Sequence, residues 1–328
     1  KAKVDAINPA KVGETFTLTE DDVTIIGTAK NDLIKATNKT YNDGDTIVDG
    51  SITDNDVLEL TTTANITATP KVTNIENINI TANKVGTFEF AADGITGAKN
   101  VNVTRDNNTG AVEITTLDSA SVNAKAGVTN LTVGYDSNKV SEATIKGATG
   151  TVTVTGIDRG GVVIEGAKDK AISVTEKTGG VSDSKATINS SGKVAVTNGV
   201  DLLTLNSNAE ATTYDLSAIG DSLTLGGDKD ITVKVAGTQL TATKVIKNSN
   251  TAKTTIEIDA NNANLTKVEN VSQVVLGATY NNTLTLNSDQ VVAASKDQNS
   301  VTLKNAKTDG KGTAIFKALD NGKDAAVV

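Results

Sequence analysis

The chain has no cysteine, no histidine, no methionine and no tryptophan, and only two prolines, Pro9 and Pro70, in 328 residues. Without Cys or His there is no Ser-His-Asp or Cys-His triad, no haem or iron–sulfur ligation and no usual zinc site. A disulfide framework is excluded as well, so outside a cell the chain must draw stability from length, repetition or metal ions. Aromatic residues make up 2%, four Tyr and four Phe, which removes the rings that fill thick sandwiches and globular α/β cores. Arginine is confined to Arg105 and Arg159 and the net charge is −8. Nucleic-acid binding, which needs a basic face, is therefore not expected. No apolar run approaches the roughly 18 residues that cross a bilayer, so no membrane span is expected either.

What remains is Val, Ile, Leu, Ala and Thr in quantity, with 28 glycines. Asp-Gly and Asn-Gly pairs such as Asp43-Gly44, Asp49-Gly50, Asp93-Gly94 and Asn198-Gly199 supply turns. Apolar residues recur at every second position, as in "NVNVT" from Asn100, "ASVNA" from Ala120, "TVTVT" from Thr151, "LLTLN" from Leu202 and "ITVKV" from Ile231. These are strands of about five residues, their centres about ten residues apart. A β-sandwich array and a β-solenoid both produce this rhythm. Sandwich layers usually recruit large rings, whereas a narrow solenoid is filled by aliphatic ladders and Thr. The expectation is an all-β chain, a parallel β-solenoid or β-helix-like stack of short strands, with tandem β-sandwich domains as the alternative. From Ala236 the rhythm loosens, and Phe316 with the end of the chain reads as a cap. One echo stands out: "VTNIENINI" from Val72 returns as "LTKVENVSQVVL" from Leu265. It is either chance among simple strands or the opening of two separate stacks.

Acidic residues concentrate near the start. Asp43, Asp45, Asp49, Asp54 and Asp56 fall on two nearby turns, and Asp32 follows Gly27 in "GTAKNDLIKA". Calcium takes six to eight oxygens, mostly carboxylates and carbonyls, on glycine-containing turns. Asp43, Asp45, Asp49, Asp54 and Asp56 are therefore candidate calcium ligands, at the mouth of the stack. The isolated Asp93, Asp118, Asp158, Asp183 and Asp201 read as ordinary turn residues.

The stretch "ETFTLTEDDVTIIGTAKNDLIKAT", with "DGDTIVDGSITDNDVLEL" and "VTNIENINITA" after it, resembles the opening of the calcium-dependent surface-layer proteins of Gram-negative bacteria, relatives of the repeats-in-toxin secreted proteins. "GTAKNDLIKA" and "DGSITDNDVLEL" are degenerate matches to that family's glycine- and aspartate-rich motif, whose tandem glycines are missing here, and the first match adds Asp32 to the candidate calcium ligands. The resemblance covers about Thr15 to Ala82. It implies one-step secretion, folding outside the cell in millimolar calcium, a location on the cell surface, and assembly of identical subunits into a lattice. It also implies anchoring, through a region outside this chain, to a cell-surface polysaccharide. The expected organisation is a repeats-in-toxin-like calcium-binding β region over residues 1–83 and a solenoid assembly domain over 84–328, with a second sub-stack from about 260.

The leading expectation for function is a structural, self-assembling surface-layer subunit, with the stalk or binding module of a secreted adhesin as the alternative. An enzyme is not expected: paired carboxylates would suffice for glycoside hydrolysis, but sugar clefts commonly offer aromatic platforms and basic groups. Glu76 and Glu269, whose neighbours repeat, read as solvent-facing strand ends or calcium ligands rather than catalytic acids.

Overall fold

The computed structural model describes residues 12–136, 142–178, 183–259, 263–269, 271, 273–276, 284–285, 291–295 and 300–303. Phe316 lies outside them. Among the described residues the regular structure is β-strand, apart from one 3₁₀ turn at Gly237–Gln239. Neighbouring strands pair in parallel, except Val291–Ser295 with Ser300–Leu303, which are antiparallel. The fold is a parallel β-solenoid, as the strand rhythm and the shortage of rings lead one to expect. It divides into two compact units, residues 1–156 and 157–328.

In the first unit the longest sheet stacks Val12–Thr17, Asn31–Thr37, Val57–Thr62, Asn77–Ala82, Asn100–Thr104, Ser121–Ala124 and Ala143–Lys146 in that order. The coil between successive strands is set by matched side chains. Asn100 donates its amide to Asn77 and Asn102 to Asn79, each across 23 residues, and Asn123 donates to Asn102 across 21. The second face of the coil changes along this unit. Short strands Thr24–Ile26, Thr46–Val48, Lys71–Thr73 and Ile95–Thr96 form one sheet, and Phe88–Ala91, Gly110–Leu117, Val128–Tyr135 and Val152–Ile157 form another.

Period-2 alternation puts one residue in two into the interior, and the parallel register stacks like on like. Ile34, Leu58, Ile78, Val101, Val122 and Ile145 form one buried column, each opposite the next. Phe90, Ile114, Val133 and Val154 form another. Few rings are needed: among the described residues Phe88, Phe90, Tyr41, Tyr135 and Tyr214 are buried and Phe16 is half-buried.

The second unit repeats the plan. Gly160–Glu165, Ser184–Asn189, Leu202–Ser207, Ser222–Gly227, Val245–Asn248 and Val268–Glu269 form one sheet. Ile172–Glu176, Gly192–Gly199, Thr212–Leu216, Ile231–Ala236, Thr254–Asp259 and Gln273–Leu276 form the other. Ile164, Ile188, Leu205 and Leu225 make its buried column.

The echoed segments do not open separate stacks. Asn77–Ala82 is flanked by strands on both sides, and Val268–Glu269 continues the sheet of Val245–Asn248. Glu76 is buried just ahead of its strand, while Glu269 is exposed within its own and sits opposite Lys247.

Candidate metal centre

Strand Thr46–Val48 is three residues long, and the acidic run divides at its two ends. Asp43 and Asp45 precede it; Asp49, Asp54 and Asp56 follow it in the longer corner that leads to strand Val57–Thr62. The two ends have different surroundings.

At the first end backbone amides take the carboxylates. Asp45 is buried; its Oδ1 accepts from Val23 N at 2.9 Å and its Oδ2 from Asn42 N at 2.8 Å. Asp43 is exposed and accepts from Thr69 N at 2.7 Å. These two acids staple neighbouring coils, and neither enters a metal-sized group among the described residues. Beside them the Tyr41 hydroxyl is buried without a hydrogen-bond partner, and burial together with the Asp45 charge raises its pKa. A buried unpaired hydroxyl costs on the order of 1 kcal/mol or more. Tyr41→Phe is therefore expected to stabilise the chain by about 1 kcal/mol, read as a rise of a few degrees in thermal unfolding followed by circular dichroism.

At the second end the register aligns acids from successive coils. Leu33 pairs with Val57 and Val57 with Asn77, so the residues just before them, Asp32, Asp56 and Glu76, form one column, and Lys99 comes next because Asn100 pairs with Asn77. The backbone locks this column. Asp32 N donates to Asp56 Oδ1 at 2.7 Å, and Asp56 N donates to Glu76 Oε2 at 3.0 Å. Asp32 itself accepts from Glu14 N at 2.7 Å and from the Thr28 hydroxyl at 3.0 Å. Asp49 enters from the side, its Oδ2 held by Ser51 N at 2.5 Å. Two glycines make the room: a Cβ at Gly27 would lie 2.3 Å from Asp49 Oδ1, and one at Gly13 would lie 2.1 Å from Asp32 Oδ1.

Asp32, Asp49, Asp56 and Glu76 are 2%, 1%, 0% and 2% exposed. Asp49 Oδ1, Asp56 Oδ2 and both oxygens of Asp54 are buried without any hydrogen-bond partner. Burial, reinforced by the Asp49, Asp54 and Asp32 charges and opposed by the Asp32 N–H, pushes the Asp56 carboxyl up to about 7. Burial likewise raises Asp49, with Asp54 and Asp32 adding to it. The Lys99 ammonium is 3.5 Å from Glu76 Oε1 and 3.4 Å from the Ile52 carbonyl.

Buried acceptors with no donor, crowded by like charges, are the condition that a cation relieves. One carboxylate oxygen from each of Asp32, Asp49 and Asp56 lies within 4.8 Å of the other two, as does one from each of Asp54, Asp56 and Glu76. Oxygens on opposite sides of an ion with bonds of about 2.4 Å are about that far apart, so both groups fit calcium. The donors are all hard oxygens, which suits calcium and not the softer transition metals.

Of the six candidate ligands, the fold brings Asp32, Asp49, Asp54 and Asp56 together and leaves Asp43 and Asp45 at the far end of strand Thr46–Val48. The group lies beside the second to fourth strands of the long sheet, in from its first strand, Val12–Thr17. Glu76, read from the sequence as a solvent-facing strand end or a calcium ligand, is buried and joins the group, although spacing along the chain does not place it with the aspartates. Its signal is positional, since it stands where Asp32 and Asp56 stand, directly before an apolar strand. Comparison with protein-family models, with curated proteins and with solved structures gives no match for this chain.

Proposed function

We propose that this chain is a structural, non-enzymatic protein of the cell exterior, a self-assembling subunit of a surface-layer lattice whose coils and subunit contacts are ordered by calcium. The observation that carries the proposal is the set of unpartnered, buried carboxylate oxygens on Asp49, Asp54 and Asp56. A chain with such a corner is stable where a divalent cation is abundant and strained where it is scarce, and calcium is millimolar only outside cells. The absence of cysteine and the acidic composition accord with that setting.

Two of the exposed large apolar side chains among the described residues flank the corner. Ile26, 74% exposed, directly precedes Gly27, and Ile52, 66% exposed, sits on the segment between Asp49 and Asp56. A cation that fixes this segment also fixes where Ile52 is presented to a second copy of the chain. That links metal binding to self-assembly. Anchoring to a cell-surface polysaccharide belongs, on this proposal, to a region outside the chain.

Negative-stain electron microscopy of the purified chain, in millimolar calcium and again in EDTA, tests this. Sheets, tubes or filaments that disappear on chelation are the expected result. Single particles in both conditions would remove the lattice role and favour an adhesin stalk.

A further inference from the structure

We infer that the corner holds two divalent cations bridged by the Asp56 carboxylate. This deepens the calcium reading above and rests on it. The geometry comes as two overlapping groups rather than one, Asp32 with Asp49 and Asp56, and Asp54 with Asp56 and Glu76, and only Asp56 belongs to both. Each group has its own unpartnered acceptors: Asp49 Oδ1 is on a residue of the first and the two Asp54 oxygens are on a residue of the second, while Asp56 Oδ2 is on the residue they share.

The backbone ladder supports the division. Asp32 N pins Asp56 Oδ1 and Asp56 N pins Glu76 Oε2, so Asp56 and Glu76 each have one oxygen committed to the neighbouring coil. Successive coils of a parallel stack are about 4.8 Å apart. Ions seated one coil apart are therefore at a separation that a single carboxylate can bridge.

Charge gives the same number. Five carboxylates, those of Asp32, Asp49, Asp54, Asp56 and Glu76, make up the two groups, and the Lys99 ammonium sits on Glu76. The formal sum is −5 + 1 = −4, which two divalent cations neutralise and one leaves at −2. Lys99 also ends the row. It occupies the next position in the column after Asp32, Asp56 and Glu76, where a further acid would extend the site, and its ammonium is already on Glu76.

The test is equilibrium dialysis of the full chain against radioactive calcium chloride, counting ions bound per chain. The variants are Asp49→Asn, Glu76→Gln, the two combined, and Asp56→Asn, each checked for native circular dichroism. Glu76→Gln and Asp49→Asn should each bind one ion fewer than the wild type. The combined variant and Asp56→Asn should each bind two fewer. If the single variants each lose one ion and the combined variant also loses only one, a single shared cation occupies the corner; the bridged pair is then wrong and the calcium reading stands. If no variant changes the count, calcium is not held here and both fail. Should Asp56→Asn not fold, the single and combined variants still decide between these outcomes.

Discussion

Chelating calcium is expected to lower the melting temperature by about 10 °C at pH 8 and by much less at pH 5. The first figure follows from mass action. Two cations, each present at 100 to 1,000 times its dissociation constant, stabilise the folded state by about 6–8 kcal/mol, and a chain of this size loses about 1.5 °C per kcal/mol. The pH dependence follows from Asp56. Its carboxyl titrates at about 7 in the metal-free folded chain, against an ordinary 3.8. Below pH 4 the folded and unfolded chains both hold the proton, and the contribution from the raised pKa is fully present. Between pH 4 and 7 the unfolded chain releases that proton while the folded chain retains it, so stability in EDTA falls as pH rises, and above 7 the contribution is gone. On the calcium proposal the cation binds the deprotonated corner and replaces the proton, so the two melting profiles should diverge as pH rises. Asp56→Asn should flatten the EDTA profile across this window. Scanning calorimetry from pH 4.5 to 8.5, with calcium and with EDTA, reads the effect. A calcium-dependent difference that is the same at pH 5 and pH 8 would show that proton and cation do not compete at this corner.

The fold was legible because a solenoid repeats its constraints along the chain. Val101 and Val103 in "NVNVT", or Leu203 and Leu205 in "LLTLN", declare an inward face by alternation alone, and the structure has strands at Asn100–Thr104 and Leu202–Ser207. The near absence of large rings has a direct counterpart in columns such as Ile34, Leu58, Ile78 and Val101. The site was legible only in part. Counting acids along the chain groups Asp43 and Asp45 with Asp49, because a three-residue strand hardly separates them in sequence; in space it puts them on opposite corners. Conversely, Asp32 and Asp56 are 24 residues apart, and Asp56 and Glu76 are 20 apart, yet each donates its backbone N–H to the next. Register is the missing information. It is partly written in the sequence, since "ND" precedes an apolar pair at both Asn31 and Asn55, and Asn55 N donates to Asn31 Oδ1 at 3.1 Å. Glu76 breaks that pattern with Ile75 in place of Asn, which is why the third step is harder to see. The echo from Val72 to Leu265 misleads for the opposite reason. A shared string of apolar and polar letters says nothing of where a coil turns, and Glu269 comes out exposed where Glu76 is buried.

Arg105→Met should destabilise the first unit by about 4 kcal/mol or more, a loss near the upper end for single substitutions. Arg105 follows strand Asn100–Thr104 and is 2% exposed. Its guanidinium donates to backbone carbonyls alone: Nε to Asn108, Nη1 to Ala111, and Nη2 to Lys84 and Gly86. The Lys84 and Gly86 carbonyls belong to one corner and the Asn108 carbonyl to the corner of the next coil, just before strand Gly110–Leu117, which holds Ala111, so a single side chain ties two successive coils together. Gly110 leaves the room, because a Cβ there would lie 3.0 Å from the guanidinium. A cation buried without a carboxylate is tolerable when several carbonyl dipoles point at it, and a planar fork with five donors can reach them all. Methionine conserves length and apolar bulk but abandons the carbonyls of Lys84, Gly86 and Asn108, which lie in turns rather than strands, at about 1–3 kcal/mol for each that water does not reach. Arg105→Lys keeps the charge but concentrates it on one nitrogen that cannot span both corners, so its loss should fall between wild type and Arg105→Met. Urea unfolding followed by circular dichroism gives the comparison, with the slope expected to stay the same and the midpoint to shift. A loss below 1 kcal/mol in Arg105→Met would show that the corners hold without the guanidinium. A lysine variant as damaging as methionine would mean that donor geometry, and not buried positive charge, is what these two coils require.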